Sequence, residues 1–182
     1  DVVSDWASED QLLFTTERTF LQVEWEKEIY QVSVNGETPH RWMDAVGTAP
    51  VLSPDKRYVA FVRGACRTAR EAYEGPANKD IWVYDTENDT YHQITDYTGN
   101  DFMPKWAGNH RLYFISARNG RYNVFNVSLN DENTQAEGTP EAVTQFSEEG
   151  IRYFDVSADG SRLAFEKGTR IHTMNLETEE ES

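Results

Sequence analysis

One short motif occurs four times along the chain: a polar turn followed by an apolar run that ends in phenylalanine. The clearest copy extends from Ser53 to Phe61. Equivalent positions of successive copies are 46, 54 and 50 residues apart, and they are Trp6, Leu52, Trp106 and Val156. A repeat of about 40 to 50 residues with several short strands is typical of β-propeller blades. The sequence therefore predicts an all-β chain of about four blades.

Each repeat contains four candidate strands of an antiparallel sheet, which we label a to d from the propeller axis outward. Strand b is apolar at almost every position, for example at 58–62 and 112–116, which favours a strand covered on both faces. Strand c aligns one ring per repeat, and we expect all four rings to fill the core: Tyr30, Trp82, Phe125 and His172. The blades are predicted at 1–43, 44–95, 96–146 and 147–176, followed by an acidic tail at 177–182.

The outer strands d are predicted at 39–43, 90–95 and 140–145, the last of them after a long turn at 130–139. The fourth repeat lacks an outer strand, because only the acidic tail remains. An open row of blades exposes unpaired edges, which natural proteins avoid. We therefore expect a segment of a larger six- or seven-bladed propeller, with a closed four-bladed ring as the alternative.

The charge of the chain limits its partners. It has 32 acidic and 17 basic residues, a net charge of −15. Nucleic acids and anionic membrane surfaces are bound through lysine and arginine, so both are poor partners. No apolar run reaches the roughly 18 residues of a membrane span, and we expect a soluble protein, with periplasm and cytoplasm both open. A single cysteine, Cys66, excludes an internal disulfide bond.

No motif of an enzyme active site is present. The chain lacks Gly-x-Ser-x-Gly, His-Glu-x-x-His and a glycine-rich phosphate loop before a lysine. Its four histidines show no metal-ligand spacing. Asp55 and Asp159 stand in turns between strands, where hydrogen bonding to the backbone is the expected role. We therefore predict no catalytic residue, no metal and no cofactor in this segment.

The connections between strands b and c are the best candidates for binding. Two of them, 16–27 and 63–79, are longer than most loops. The four connections together hold ten of the 17 basic residues but only six of the 32 acidic ones. One end of an acidic body is therefore predicted to be positive and to meet a peptide carboxylate or an acidic protein surface. Packing of the loops onto their blades explains their aromatic residues equally well. The candidate binding residues are Trp25, Arg63, Arg67, Arg70, Tyr73, Arg118 and Arg121.

The stretches 53–61, 80–85, 94–95 and 157–165 resemble the propeller repeats of the tricorn protease and TolB group, which are related to those of the prolyl oligopeptidase and dipeptidyl peptidase families. The resemblance covers nearly the whole chain, and the second repeat keeps Ser-Pro-Asp with Lys56 in place of the usual glycine. It implies a non-catalytic propeller segment of a tricorn-like serine peptidase, which gates or docks peptide for a catalytic module elsewhere. The alternative is a TolB-like protein-interaction propeller with no attached hydrolase.

Either interpretation predicts the same kinds of partner. These are a peptide or a protein, and further blades or domains of a longer chain. The resemblance leaves open whether that longer chain is an enzyme and whether it forms an oligomer.

Overall fold

The computed structural model describes residues 1–17, 27–178 and 180–181, and every regular element in these ranges is a β-strand. In chain order the strands are β1 (Val2–Trp6), β2 (Gln11–Thr16), β3 (Glu28–Ser33), β4 (His40–Val46), β5 (Thr48–Leu52), β6 (Tyr58–Arg63), β7 (Asp80–Asp85), β8 (Thr90–Gln93), β9 (Asp101–Trp106), β10 (Arg111–Ser116), β11 (Asn123–Leu129), β12 (Ala136–Ala142), β13 (Ile151–Val156), β14 (Arg162–Lys167) and β15 (Arg170–Asn175). They form four antiparallel sheets in simple up-and-down order: β1–β4, β5–β8, β9–β12 and β13–β15.

The four sheets lie side by side in chain order. The first strands of the sheets are β1, β5, β9 and β13, and each contacts the next one along the chain. The largest cluster of buried apolar side chains joins the second, third and fourth sheets. Small antiparallel sheets stacked in this way are propeller blades, so the predicted all-β propeller fold is confirmed.

A phenylalanine on the second strand anchors each blade. In chain order these residues are 4%, 0%, 0% and 2% exposed, and they are Phe14, Phe61, Phe114 and Phe165. Each lies directly across the sheet from the ring that the repeat alignment places on the third strand, so the cross-strand partners are Tyr30, Trp82, Phe125 and His172. Residues that align between the four repeats therefore occupy equivalent positions in the strand pairing of the four sheets.

The rings of the third strands are less buried than the sequence predicts. Phe125 is buried, but Tyr30, Trp82 and His172 are only half-buried. Successive side chains of a strand point to opposite faces. In the first three blades the aliphatic residue before the ring, such as Ile81 at 0% exposure, therefore occupies the more tightly packed face, whereas Ile171 of the fourth blade is exposed.

The second strands of the two middle blades are covered on both faces along almost their whole length. Every residue of β6 except the last is buried, and every residue of β10 except the first. In β14, by contrast, Arg162 and Ala164 are exposed while Leu163 and Phe165 are buried. The fourth blade has a neighbour on one side only among the described residues, which explains the alternation.

All three outer strands differ from their predicted bounds, and β8 ends at Gln93 rather than at residue 95. Strand β4 continues to Val46, and β12 begins at Ala136, so the turn before β12 is shorter than expected. Pro140 therefore lies inside a strand, which an outer edge tolerates because it need not donate every hydrogen bond. A register shift between Asn126 and Ser128, opposite Gly138 with a φ of +81°, accommodates the change.

The turns between the first and second strands of the second and fourth blades share one hydrogen bond. The Ser53 hydroxyl donates to Asp55 Oδ1 at 2.5 Å, and the Ser157 hydroxyl to Asp159 Oδ1 at 2.6 Å. The backbone N–H of Ser161 also donates to Asp159 Oδ1, at 3.0 Å. The predicted structural role of these two aspartates is therefore confirmed.

The fourth blade has three strands, as predicted, and the described residues add a single bridge between Met174 and Glu181 at its outer edge. The large apolar side chains with the greatest exposure all belong to the first and last blades: Val2, Val3, Trp6, Val34, Tyr153 and Ile171. These terminal faces are consistent with a segment of a larger propeller.

Candidate functional site

The candidate binding residues that the structure describes lie at one end of the blades, which we call the loop end. In an up-and-down sheet, the loops between second and third strands emerge at the same end as the connections to the next blade. The 64–79 loop after β6 and the 117–122 loop after β10 both lie at this end.

The 64–79 loop is folded back on itself by hydrogen bonds. The Cys66 N–H donates to Ala77 O at 2.8 Å, which closes the base of the loop. Gly64 has a φ of +124°, and a Cβ at this position would lie 1.9 Å from Asn78 O. Only glycine permits both the conformation and the close approach.

Asn100 fastens this loop to the third blade. The side chain is fully buried, and its Oδ1 accepts a hydrogen bond from Lys79 N at 3.1 Å. Its Nδ2 donates to Tyr122 Oη at 3.3 Å and lies 3.4 Å from Arg70 O. One amide therefore joins the middle and the end of the 64–79 loop to Tyr122, the last residue of the 117–122 loop.

Glu71 makes a second connection between the two loops. Its carboxylate accepts hydrogen bonds from Tyr122 N and, at 3.1 Å, from Arg121 Nη1. The 64–79 loop is thus held in place before any partner binds, which lowers the entropic cost of binding.

Two open clefts lie beside the loop. The first has a volume of about 600 Å³ and is lined by Thr68, Ala69, Glu71, Phe102, Met103, Tyr122, Glu149, Gly150, Ile151, Arg152, Tyr153 and Gly168. The second has a volume of about 460 Å³ and is lined by Lys27, Gly47, Thr48, Ala49, Val62, Gly64, Ala65, Cys66, Arg67, Thr68, Ala69, Lys79, Phe102 and Met103. The clefts share a wall that is formed by Thr68, Ala69, Phe102 and Met103.

Two residues of the cleft walls have strained backbones. Ala49 and Met103 have φ values of 51° and 57°. Each precedes a proline, Pro50 or Pro104, and a residue before proline is normally restricted to extended conformations. Strain of this kind is kept only where the surrounding structure enforces it, and it is common at ligand sites.

Arg118 is held by a buried carboxylate rather than presented to solvent. Its Nη2 lies 2.6 Å from Asp101 Oδ2, and the Asp101 side chain is fully buried. The guanidinium also lies over the rings of Tyr97 and Phe125, 5.1 and 5.3 Å from their centroids. Burial raises the pKa of Asp101, and the Arg118 charge opposes this. Arg118 is therefore a structural residue at the boundary between the second and third blades.

Asp80 lies in the same region, at the start of β7. Burial, and then the charge of Asp101, raise its pKa to about 6. Asn78 Nδ2 donates to Asp80 Oδ1 at 3.2 Å and to Tyr97 O at 2.6 Å, so the same amide also holds the end of the 64–79 loop. The Asp80 carboxylate therefore helps to hold the end of the 64–79 loop in place through its hydrogen bond with Asn78.

The remaining candidate residues separate into two groups. Arg63 lies 4.8 Å from the Trp82 ring centroid, and Tyr73 Oη accepts a hydrogen bond from Ala77 N at 3.1 Å, so both pack the loop end. Arg121 is ion-paired with Glu71. The exposed candidates that form no ion pair with a described carboxylate are Arg67, which lines the second cleft, and Arg70, which lies over the Tyr73 ring. Trp25 lies outside the described residues.

Several residues of this site carry no local signal in the sequence. Asn100, Glu71 and Asp101 are ordinary polar residues until the blades bring them together. The strained pair carried a signal, since Ala49-Pro50 and Met103-Pro104 occupy equivalent positions of two repeats. A proline at the same place in two innermost strands could have marked these positions.

The part of the chain that the structure describes adds neither a metal centre nor a membrane-spanning helix. Within 1–17, 27–178 and 180–181, no group of three or more His, Cys, Asp or Glu residues could hold a metal ion. The same ranges contain no helix long and apolar enough to cross a membrane.

The row of blades with clefts at one end defines a β-propeller domain. Comparison with family models assigns residues 1–180 to the tricorn protease N-terminal β-propeller domain, and the chain belongs to that family. A search of curated proteins gave no significant match.

Solved structures share this fold. The crystal structure of the tricorn protease matches the whole chain at 20% identity with a TM-score of 0.80, and the match covers 16% of that protein. TolB from Acinetobacter baumannii matches the whole chain at 15% identity with a TM-score of 0.74, over 42% of its own length. The propeller domain of the Trilobed protease from Pyrococcus furiosus matches at 14% identity with a TM-score of 0.57, over 56% of its length. The chain thus spans between 16% and 56% of the length of these proteins.

Proposed function

We propose that this propeller domain docks or gates peptide at its loop end for a catalytic module elsewhere in a tricorn-like peptidase. The observation that carries the proposal is the shared wall of the two clefts. Thr68 and Ala69 of this wall belong to the loop that Asn100 and Glu71 join to the third blade, and Phe102 and Met103 belong to β9. A rigid wall between two open clefts offers an extended peptide a surface that needs no rearrangement on binding.

Ala69 provides a direct test, because it is exposed and lines both clefts. Ala69→Trp should block the clefts and weaken binding of a fluorescein-labelled library of random decapeptides by at least about tenfold. Fluorescence anisotropy measures the binding, and thermal unfolding checks that the variant folds.

The matched control is Ala158→Trp, since Ala158 is an exposed alanine in the turn at the opposite end of the fourth blade. This variant should bind the library as the parent chain does. The proposal fails if the parent chain binds no peptide, or if both variants bind equally well. The first of these outcomes would favour the alternative, a TolB-like module that docks folded proteins.

A further inference from the structure

A group of carboxylates lies at the base of the 64–79 loop, where the second and third blades meet. Asp80 follows the loop directly as the first residue of β7, and it is half-buried. Asp101 is fully buried, and its backbone N–H donates to Lys79 O at 2.7 Å. The charges of Asp101 and Asp96 both act against the charge of Asp80. An ionised Asp80 therefore lies in surroundings that disfavour its charge.

Two amide side chains connect the Asp80 carboxylate to its surroundings. Asn78 Nδ2 donates to Asp80 Oδ1 at 3.2 Å, and Gln93 Nε2 donates to Asp80 Oδ2 at 3.2 Å. The same nitrogens also donate to the backbone after β8, to Tyr97 O at 2.6 Å and Thr95 O at 2.9 Å. Gln93 is exposed, so its amide can rotate and accept a hydrogen bond from a protonated Asp80. The carboxyl group thus belongs to the hydrogen bonds that hold the end of the loop in either protonation state.

Two arginines near Asp80 are engaged by other groups. Arg118 favours the Asp80 charge, but its Nη2 lies 2.6 Å from Asp101 Oδ2. Arg63 is directly across the sheet from Asp80, and its guanidinium lies over the Trp82 ring. Burial, and then the Asp101 charge, therefore raise the pKa of Asp80 to about 6.

Two further titratable side chains lie close to Asp80. Lys79 Nζ donates to Gly64 O at 2.7 Å, so its charge is directed to the other end of the loop. Burial raises the pKa of Tyr97, so this side chain stays neutral where Asp80 titrates. Asp80 is therefore the group whose proton is coupled to the position of the loop.

From this geometry we infer that the Asp80 carboxyl is a proton switch for the 64–79 loop: the protonated carboxyl keeps the loop docked on the third blade, and the ionised carboxylate loosens it. A loop that lifts away exposes Asp80 to water and relieves the burial that opposes its charge. The docked state therefore holds the proton more tightly than the released state. Docking is strongest below about pH 4, weakens as the pH rises to about 6, and changes little above that.

The consequence of the switch rests on the proposed function. Thr68 and Ala69 of the 64–79 loop form part of the wall between the two clefts. A loosened loop makes this wall mobile, and binding must then include the entropic cost of ordering it. The loop end should therefore bind peptide more tightly in mildly acidic solution than at neutral pH.

Hydrogen exchange followed by mass spectrometry tests the switch on the 182-residue chain at pH 5.0 and pH 7.5. The rates are corrected for the intrinsic exchange rate at each pH. Amides of the 64–79 loop should be about three- to tenfold more protected at pH 5.0 than at pH 7.5. They should also be less protected than those of β10 at both pH values, because the loop opens locally.

Asp80→Asn should remove the difference between the two pH values and leave the loop as protected as it is in the parent chain at pH 5.0. Asp96→Asn is the matched control, because Asp96 is an exposed carboxylate that also acts on Asp80. This variant should keep most of the difference.

The switch is overturned if loop protection is the same at both pH values, if Asp80→Asn keeps the difference, or if Asp96→Asn removes it equally. It is also overturned if the loop is protected as strongly as β10, since the loop would then open only when the whole chain unfolds. Binding of the labelled decapeptide library at both pH values separates the two proposals. If the loop responds to Asp80 but no peptide binds, the switch stands and the proposed function fails. If peptide binds and the loop does not respond to pH, the switch alone fails.

Discussion

The backbone conformations of Ala49 and Met103 are set by the whole fold rather than by the residues themselves. Both have positive φ values, both precede proline and both line the second cleft. Neither residue has a local reason to adopt this conformation, because the side chain and the following ring both oppose it. Packing of the inner strands against their neighbours must supply the energy that holds them there.

Replacing Ala49 with glycine should therefore stabilise the protein. Glycine adopts a φ of 51° without steric cost, and the relief of strain should exceed its larger loss of backbone entropy by about 1 kcal/mol. Urea unfolding monitored by circular dichroism measures the change. Ala60→Gly is the control, since Ala60 is a fully buried residue of β6 without a positive φ. It should lower stability, and a loss of stability in Ala49→Gly would contradict the assignment of strain.

At the scale of one element, β7 begins and ends with an aspartate, and the two carboxylates are shifted in opposite directions. Burial and the Asp101 charge raise the pKa of Asp80 to about 6. Burial also acts to raise the pKa of Asp85, but hydrogen bonds from Arg57, Asn88 and backbone amides outweigh it and hold the pKa at about 2. The same residue type thus costs stability at the loop end of the strand and contributes stability at the other end.

Asp80→Asn should raise stability at neutral pH. The folded chain holds the Asp80 proton more tightly than the unfolded chain, so this carboxyl lowers stability progressively as pH rises from about 4 to about 6. Above pH 6 the cost is complete, and at this half-buried site it amounts to about 1 to 2 kcal/mol. Urea unfolding at pH 4, 5, 6 and 7.5 should show a gain at pH 7.5 that shrinks towards zero near pH 4.

Asp85→Asn tests the opposite sign. The lowered pKa of Asp85 means that its contribution is present above about pH 4 and is lost as pH falls towards 2. This variant should be less stable than the parent chain at pH 7.5.

A pH-independent gain in Asp80→Asn would show that the gain does not come from ionisation.

At the scale of the whole molecule, the blades are covered unequally. Strands β6 and β10 are buried on both faces, whereas β15 exposes Ile171, which is 81% exposed. The first blade likewise exposes Trp6 and Val3. Burial of apolar surface is the main source of stability, so the middle of the row should be more stable than its ends.

Hydrogen exchange followed by mass spectrometry should reveal this gradient. Peptides that cover β6 and β10 should exchange most slowly, and those that cover β15 should exchange at least about tenfold faster. Equal protection of all four blades would show instead that the chain unfolds as one cooperative unit.

Much of the fold could be predicted from the sequence because its signals are local and repeated. The Ser-x-Asp turns, the apolar second strands and the Phe61–Trp82 type of cross-strand pair each lie within one blade and recur in others. Where the signal of one repeat is weak or altered, the other repeats still indicate the same strand. The predicted bounds failed at β12, where Pro140 and Gly138 look like turn residues but an edge strand tolerates both.

The site could be predicted only in part. Net charge and loop length predicted a group of arginines at one end, but they could not separate Arg67 from Arg118. Both are loop arginines in the sequence, and only the packing of the third blade places Asp101 2.6 Å from Arg118. The sequence by itself thus determined the blades and their order, because strand pairing within a blade depends on neighbouring residues. The tertiary structure alone decided which charges are paired and where the clefts open, because those contacts join residues that are far apart in the sequence, within one blade as for Arg118 and Asp101 or between blades as for Arg121 and Glu71.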